Sequence, residues 1–179
     1  MVINTNRILT ALLSLSLYSV GAHATDNLLF KGNLIIPNCT VNNNQSIETD
    51  FGDIEIQTLS AANTGYHWKS IQIPVDCPYN YGTPKINLTG QQGVSTNSIQ
   101  TSKYNTEKLV IYLQQGTPDK QGKKINLGSY QELEQDAIVN TNGNQKNILI
   151  TASVGREQGM ELLTPGPFTA SVNMEMRYE

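Results

Sequence analysis

Residues 165–179 read Pro-Gly-Pro-Phe-Thr-Ala-Ser-Val-Asn-Met-Glu-Met-Arg-Tyr-Glu, and from the phenylalanine onwards apolar and polar side chains alternate. Successive side chains of a strand point to opposite faces, so this pattern predicts a strand with one buried face and one solvated face. The prolines on either side of Gly166 disfavour a helix and predict a turn at the strand entrance. The predicted apolar face consists of Phe168, Ala170, Val172, Met174, Met176 and Tyr178. Its complete burial would contribute about 10 kcal/mol, so we expect a core element here.

The first 24 residues have the features of a secretory signal peptide. Arg7 precedes an apolar run at 8–20, and the run is followed by Ala22-His23-Ala24. The run is too short and too rich in serine to predict a membrane span. Cleavage after Ala24 would leave residues 25–179, which is the size of one domain. The formal net charge is −3 at pH 7, and no basic cluster indicates nucleic-acid binding.

Cys39 and Cys77 are the two cysteines of the chain, and both lie in the part predicted to be exported. An even number of cysteines in an oxidising compartment predicts one disulfide. A zinc site is a weaker alternative, because there is no C-x-x-C motif and His67 is the single histidine after the signal peptide. We therefore expect no metal and no cofactor.

The segment that precedes Cys39 also alternates. Leu28, Phe30, Gly32, Leu34 and Ile36 share one face of an extended segment at 25–37. Gly32 interrupts that apolar face. A glycine inside a strand marks either a bulge or a place where another backbone approaches closely, and the segment alone leaves both interpretations open.

The remainder of the chain predicts an all-β sandwich. Strands are expected at 71–77, 85–89, 109–113 and 147–154, with short ones near 125–127 and 137–139. In the strand at 147–154 the inward side chains are Ile148, Ile150, Ala152 and Val154. Residues 91–106 are rich in Asn, Ser, Thr and Gln, and they predict a long surface loop. No helical periodicity follows the signal peptide.

The sequence carries little that indicates catalysis. His67 lies in a predicted loop, and there is no nucleophile motif, phosphate-binding loop or metal-ligand spacing, so an enzyme is the weakest class of function. Four aromatic residues could form a carbohydrate-binding surface, since such side chains favour binding sites. These residues are Tyr66, Trp68, Tyr79 and Tyr81. The competing interpretation is that Trp68 packs on the core.

A resemblance adds to these observations. Gly166 fourteenth from the end, the alternating apolar residues and the penultimate Tyr178 resemble the C-terminal motif of pilus subunits of the chaperone–usher pathway. Four further stretches resemble the minor subunits of the P-pilus tip fibrillum, and together they span nearly all of residues 25–179. These stretches are 26–41, 53–59, 77–80 and 166–168.

The resemblance implies an incomplete immunoglobulin-like β-sandwich that lacks its final strand. A strand from a periplasmic chaperone would complete it first, and the N-terminal extension of the next subunit would replace that strand at the outer-membrane usher. Residues 25–37 would be that extension, with Leu28, Phe30, Leu34 and Ile36 inserting and Gly32 at the crowded position. Residues 38–179 would be the pilin domain, with Cys39 and Cys77 as its disulfide. The chaperone would bind the strand from Gly166 to Tyr178, and its basic residues would hold the Glu179 carboxylate.

We therefore predict a non-enzymatic structural pilin, exported through the periplasm to the cell-surface pilus and polymerised there with neighbouring subunits. Within the family, the alternative is an adaptor that joins the adhesin to the fibre. From another class, the alternative is a monomeric secreted carbohydrate-binding sandwich. An adhesin would need an additional lectin domain, and a terminator would lack the extension at Leu28–Ile36.

Overall fold

The computed structural model describes residues 28–117, 122–159 and 162–179, without the side chains of Asn140 and Thr141. The predicted signal peptide lies outside the described residues. The chain divides into two compact units, residues 1–34 and 35–179. In the first unit the described residues, 28–34, form no helix or strand. Every strand formed by the described residues lies in the second unit.

The described residues of the second unit form nine strands in two sheets. The strands are β1 (Thr40–Val41), β2 (Thr64–Asp76), β3 (Pro84–Gly90), β4 (Ser98–Gln100), β5 (Leu109–Gln115), β6 (Gln131–Glu132), β7 (Ile138–Asn142), β8 (Gln145–Arg156) and β9 (Val172–Tyr178). One α-helix, α1 (Tyr104–Glu107), and 3-10 turns at Asn42–Asn44, Ile56–Thr58 and Gln135–Ala137 complete the described elements.

The pairing of these strands confirms the all-β prediction. The larger sheet has the order β1-β2-β8-β5-β4, with β7 also paired to β8, and the smaller sheet has the order β6-β3-β9. Every strand pair is antiparallel. Two sheets whose inner faces share one apolar cluster are the arrangement expected of a sandwich.

The predicted inner face of β8 is confirmed. Ile148, Ile150, Ala152 and Val154 are all buried in the core cluster. Thr151 and Ser153 on the opposite face are also fully buried, although alternation predicts that they face solvent. The strand lies between β2 and β5, and the Thr151 hydroxyl donates a hydrogen bond to the Gly116 carbonyl. This face is therefore buried although polarity alone assigns it to water, and within the described residues the Ser153 hydroxyl has no hydrogen-bond partner.

The prediction of a surface loop at 91–106 is wrong. This stretch contains β4 and most of α1, and it buries Asn97, Ser98, Ile99 and Thr101. The reason is one buried carboxylate. Glu157 is 1 % exposed, and it accepts hydrogen bonds from the Val94 and Ser95 N–H groups and from the Ser98 and Tyr104 hydroxyls, all within 2.9 Å.

Those four donors also explain the ionisation of Glu157. Burial by itself raises the pKa of this carboxyl, but the hydrogen bonds from Ser95, Val94, Ser98 and Tyr104 outweigh burial and leave the pKa below its ordinary value. Glu157 therefore stays charged and ties the polar stretch at 93–98 to the end of β8.

The start of the second unit crosses from one sheet to the other. Asn38 forms an antiparallel bridge with Arg177, and the Cys39 N–H donates to the Met176 carbonyl at 2.7 Å. The next two residues, in β1, pair with β2. Cys39 is bonded to Cys77, which directly follows β2, so the predicted disulfide is confirmed. It joins the crossing point to the larger sheet.

Replacing both Cys39 and Cys77 by serine should lower the free energy of unfolding by about 4 kcal/mol, because the reduced chain regains the entropy of a loop of 38 residues. Urea unfolding of the oxidised wild type and of the double variant measures the difference. Equal stability, or two free thiols in the mass spectrum of the oxidised protein, would show that the bond is not part of the native fold.

Glu157→Gln should destabilise the protein by about 2–3 kcal/mol at neutral pH, because the amide nitrogen would face a backbone N–H that can only donate and would leave it unpaired and buried. The folded-state pKa is below the unfolded value of ~4.3, so this stability is present above pH ~4.3 and is lost as pH falls through the folded pKa. The difference in free energy of unfolding between wild type and variant should therefore become smaller as the pH falls below ~4.3. Glu48→Gln, at an exposed position, is the matched control. A gap that is independent of pH would contradict this role.

Candidate functional site

The C-terminal strand β9 pairs with β3 along one edge, from Val172 opposite Gly90 to Tyr178 opposite Pro84. Glu179 and Thr83 exchange two backbone hydrogen bonds, of 2.7 and 3.1 Å. Hydrogen-bonded and non-bonded pairs alternate in an antiparallel ladder, so the odd-numbered residues of β9 bond to β3. The backbone groups of Val172, Met174 and Met176 therefore point to the opposite edge.

That opposite edge is covered over only part of its length. The Cys39 N–H donates to Met176, and Asn38 forms its bridge at Arg177. Among residues 28–117, 122–159 and 162–179, no backbone partner covers Val172 or Met174 on this edge. An open strand edge presents unpaired N–H and C=O groups that a further strand can bind.

Side-chain burial along β9 follows the same division. Met176 and Tyr178, at the covered end, are buried at 0 % and 5 % exposure, whereas Val172 and Met174, at the open end, are half-buried. The half-buried side chains still pack against the core cluster. The apolar face of β9 is thus fully buried only at the end where residues 38 and 39 cover its second edge.

The strand is shorter than the alternation predicts. Phe168 and Ala170 precede β9 in a segment without regular structure, and Ala170 is exposed. The reason is that β3 ends at Gly90, opposite Val172, so β3 offers no partner beyond that point. Phe168 is half-buried, and its ring lies 6.5 Å from the ring of Phe51, measured between centroids.

The segment before β9 is held by side chains that the sequence did not indicate. Lys103 Nζ donates to the Thr164 carbonyl at 2.5 Å and forms an ion pair with Glu107. The Thr164 hydroxyl donates to Glu107, and the Ser102 N–H donates to the Thr169 carbonyl at 2.8 Å. Gly166 lies in this segment with a φ of +138°, a conformation that favours glycine.

The solvated face of β9 carries a charged cluster. Glu179 accepts from Lys85 Nζ at 2.7 Å and also pairs with Arg177, whose guanidinium lies 3.7 Å from the ring centroid of Tyr130. The hydrogen bond from Lys85 outweighs desolvation, and Arg177 adds to it, so the pKa of the Glu179 side chain is lowered. The side-chain carboxylate of Glu179 thus has two cationic partners within the chain.

The predicted N-terminal segment leaves its apolar side chains in solvent. Leu28, Phe30 and Leu34 are 75 %, 88 % and 102 % exposed, and Ile36 is 49 % exposed. A Cβ built at Gly32 would meet no described atom within 4 Å. Local crowding within the described chain therefore does not require a glycine at this position.

The aromatic residues proposed for carbohydrate binding do not form one surface. Tyr66 and Trp68 lie near the start of β2, whereas Tyr79 and Tyr81 follow its other end, about 25–30 Å away at the rise of a strand. The prediction that Trp68 packs on the core is wrong: the side chain is 39 % exposed and lies outside the core cluster, with only an edge of its ring near Gly65. His67 lies in the bulged part of β2, and its Nε2 is hydrogen-bonded to Thr58 at 2.7 Å.

Two other kinds of site were sought in the part of the chain that the structure describes. It holds no group of three or more His, Cys, Asp or Glu side chains placed to bind a metal ion. No helix there is long and apolar enough to cross a membrane.

The comparisons with known proteins agree with this geometry. The family model described as fimbrial protein matches residues 28–179. The fimbrial protein PrsE of Escherichia coli is 37 % identical over 172 residues, which cover 95 % of both chains. The fimbrial adapter PapF of the same species is 30 % identical and covers 95 % of this chain and 98 % of its own.

Solved structures resemble the fold as well. The P pilus adaptor subunit PapF, in a structure concerned with determinants of its polymerization reactivity, has a TM-score of 0.51 over 82 % of this chain and all of its own. The P pilus rod subunit PapA, at 21 % identity, has a TM-score of 0.55 over 79 % of this chain and 99 % of its own, and supports the fold alone. With the match over 28–179 and relatives of 30 % identity or more along almost the whole chain, this protein belongs to the fimbrial protein family of pilus subunits.

Proposed function

We propose that this chain is a structural subunit of a surface pilus and is joined to its neighbours by strand exchange. The observation that carries the proposal is the half-covered edge of β9, with open backbone groups and half-buried side chains at Val172 and Met174. A strand added there would bond to the open groups and bury the apolar face. The solved relative PapF is described by its polymerization reactivity, which is the property proposed here for this chain.

The strand that a subunit gives to its neighbour is proposed to be the segment at residues 28–36. Its apolar side chains alternate and are exposed, so they are available to another chain. The open surroundings of Gly32 support this role, because any steric requirement for glycine then comes from a partner that crowds the strand. The donor residues are Leu28, Phe30, Gly32, Leu34 and Ile36, within an extension at 25–37 that precedes the pilin domain at 38–179.

Before assembly, a periplasmic chaperone would cover the same edge. An open strand edge beside half-buried apolar side chains is an aggregation hazard, so an exported subunit needs a temporary partner there. The chaperone would bind along the C-terminal segment, and the outer-membrane usher would be the place of exchange. The segment comprises Gly166, Phe168, Ala170, Val172, Met174, Met176, Tyr178 and Glu179.

The position in the pilus is proposed to be the tip fibrillum. An adaptor position is the second candidate, and the 30 % identity to the fimbrial adapter PapF favours it. Both positions are non-enzymatic, and the chain would act by pairing strands rather than by chemistry. The separation of Trp68 from Tyr79 and Tyr81 gives the carbohydrate-binding alternative no support.

Met174→Asp should reduce the amount of chaperone-bound subunit in the periplasm, because strand pairing at the open edge would bury an unpaired charge. This variant is sharper than removal of residues 174–179, which would also delete the core residues Met176 and Tyr178. Co-purification with the chaperone measures the effect.

Asn173→Asp is the matched control, since Asn173 lies on the solvated face of the same strand. The proposal predicts normal co-purification for the control and a marked loss for Met174→Asp. Equal yields of the two variants would argue that the chaperone does not use this face.

Gly32→Leu should leave chaperone binding nearly intact and stop or slow fibre growth. A leucine at this position would be forced against the groove of the neighbouring subunit, where overpacking costs about 1–3 kcal/mol or more. Chaperone–subunit complexes should accumulate while fibres shorten, and both are measured in one strain.

Asn33→Leu adds the same side chain to the opposite face of the segment and should assemble normally. If residues 28–36 were instead a strand of their own domain, Gly32→Leu would reduce the level of the subunit itself. Loss of subunit without a stalled complex would therefore refute the donor role.

A further inference from the structure

A small cluster of charged and polar side chains lies beside the segment that leads into β9. Lys103 Nζ and a carboxylate oxygen of Glu107 lie 3.2 Å apart, and the two side chains are only 15 % and 7 % exposed. Lys103 Nζ also donates to the carbonyl and the hydroxyl of Thr164, at 2.5 and 3.2 Å. That hydroxyl donates to Glu107 at 2.6 Å. We call these three residues, together with Ser102, the entry clasp.

The ion pair of the entry clasp is largely shielded from water. Burial alone raises the pKa of the Glu107 carboxyl, but hydrogen bonds from Thr164 and Lys103 outweigh burial and leave the pKa below its ordinary value. A buried ion pair contributes little net stability, because the cost of taking two charges out of water offsets their attraction. The best-attested use of such a pair is to fix one arrangement of the chain. Here it binds Thr164, so the segment it would fix is the one that leads into β9.

The clasp also joins this segment to the larger sheet. The Thr101 hydroxyl donates to the Leu109 carbonyl at 2.8 Å, so the loop that carries Ser102 is held at the start of β5. The Ser102 N–H donates to the Thr169 carbonyl at 2.8 Å, and the Thr169 N–H donates to Ser102 Oγ at 3.2 Å. Both backbone groups of Thr169 are therefore bonded to one residue of that loop.

Thr169 is bonded as though β3 continued beyond Gly90. The odd-numbered residues of β9 bond to β3, and Thr169 belongs to the same odd-numbered series. Ser102 therefore takes the place of a further β3 residue. Phe168 and Ala170 belong to the even-numbered series, whose backbone groups point to the open edge. Within the part of the chain that the structure describes, no backbone hydrogen bond reaches either of them.

We propose that the entry clasp holds residues 168–171 in line with β9, so that the edge that accepts another strand begins at Phe168 rather than at Val172. This inference rests on the proposed function. Lys103 and Glu107 are then positioning residues for strand addition, which act through Thr164 and do not touch the added strand themselves.

The clasp would act by ordering the edge before a strand arrives. The segment at 168–171 has no partner in β3, so without the clasp it would have to be ordered at the moment of binding. Conformational entropy lost at that moment lowers affinity, whereas a segment that is already ordered costs nothing further. The edge has a defined end as well, because Gly166, the preceding even-numbered residue, has a φ of +138° and departs from the extended conformation.

Residue-resolved hydrogen exchange tests the inference. The exported subunit is purified with the pilus chaperone, and a synthetic peptide of residues 25–37 then displaces the chaperone. In the peptide complex we expect the amide hydrogens of Phe168 and Ala170 to exchange at least about tenfold more slowly than in an unstructured chain, because they bond to the peptide. The amide hydrogens of Val172 and Met174 should be protected in the same way.

A double variant removes the ion pair. Lys103→Met combined with Glu107→Gln eliminates both charges and so leaves neither buried alone. In this variant the protection of Phe168 and Ala170 should fall at least about tenfold, since the segment is no longer held in line with β9. The protection of the rest of the open edge should persist.

Two single variants accompany it. Thr164→Val keeps both charges and removes the hydroxyl bonded to Glu107, so it should cause a smaller loss at the same two amides. Lys108→Met is the matched control, because Lys108 directly follows α1 and its Nζ lies over the ring of Tyr104. The control should behave as the wild type does.

Each outcome decides for or against the positioning role. Unprotected amides at Phe168 and Ala170 in the wild type, with Val172 and Met174 protected, would overturn this inference and leave strand addition standing. Equal protection in the wild type and the clasp variants would overturn it too, as would a loss spread over the whole of β9. If the double variant is not recovered with the chaperone, Thr164→Val alone decides. Unprotected Val172 and Met174 in the wild type would overturn the proposed function and this inference with it.

Discussion

The hydrogen bond from the Cys39 N–H to the Met176 carbonyl is the contact on which the arrangement of the C-terminal strand depends. It marks the point up to which the chain covers its own last strand. Beyond it, the chain has crossed to the other sheet and pairs with β2, and the disulfide to Cys77 fixes the crossing. The open edge at Val172 and Met174 is therefore a direct result of where the chain changes sheets.

Because of this crossing, one half of the apolar face of β9 is buried and the other half is only partly buried. The half with Met176 and Tyr178 is buried and contributes to the stability of the isolated subunit. The half with Val172 and Met174 is still partly exposed to water. Burying the rest of this apolar surface would stabilise the subunit further. A strand from another chain would bury this remaining apolar surface. Because such a strand binds only the folded subunit, its binding also shifts the folding equilibrium towards the folded state.

The sequence predicted the local features of this fold well and the non-local ones poorly. Period-2 alternation identified the inner faces of β8 and β9, because it depends only on the direction of successive side chains. It extended the last strand back to Phe168, since alternation does not show that β3 ends at Gly90. Polarity misassigned residues 91–106 because the acceptor that buries them, Glu157, lies more than 50 residues further on. The open edge had no local signal, and only resemblance to a family pointed to it.

The mismatch between the alternating stretch and the observed strand bears on the proposed assembly. Phe168 and Ala170 continue the apolar phase of β9 although this chain provides them with no strand partner, and residues 28–36 carry the same phase without a buried face. Two strand-like segments without partners in one chain can satisfy each other between chains, because the open edge of one accepts the backbone of the other. Packing within the chain accounts for Phe168, whose ring lies beside Phe51 at the core cluster, but not for Gly32 or for the exposed Ala170. The proposed strand shared between neighbouring subunits would account for both of these.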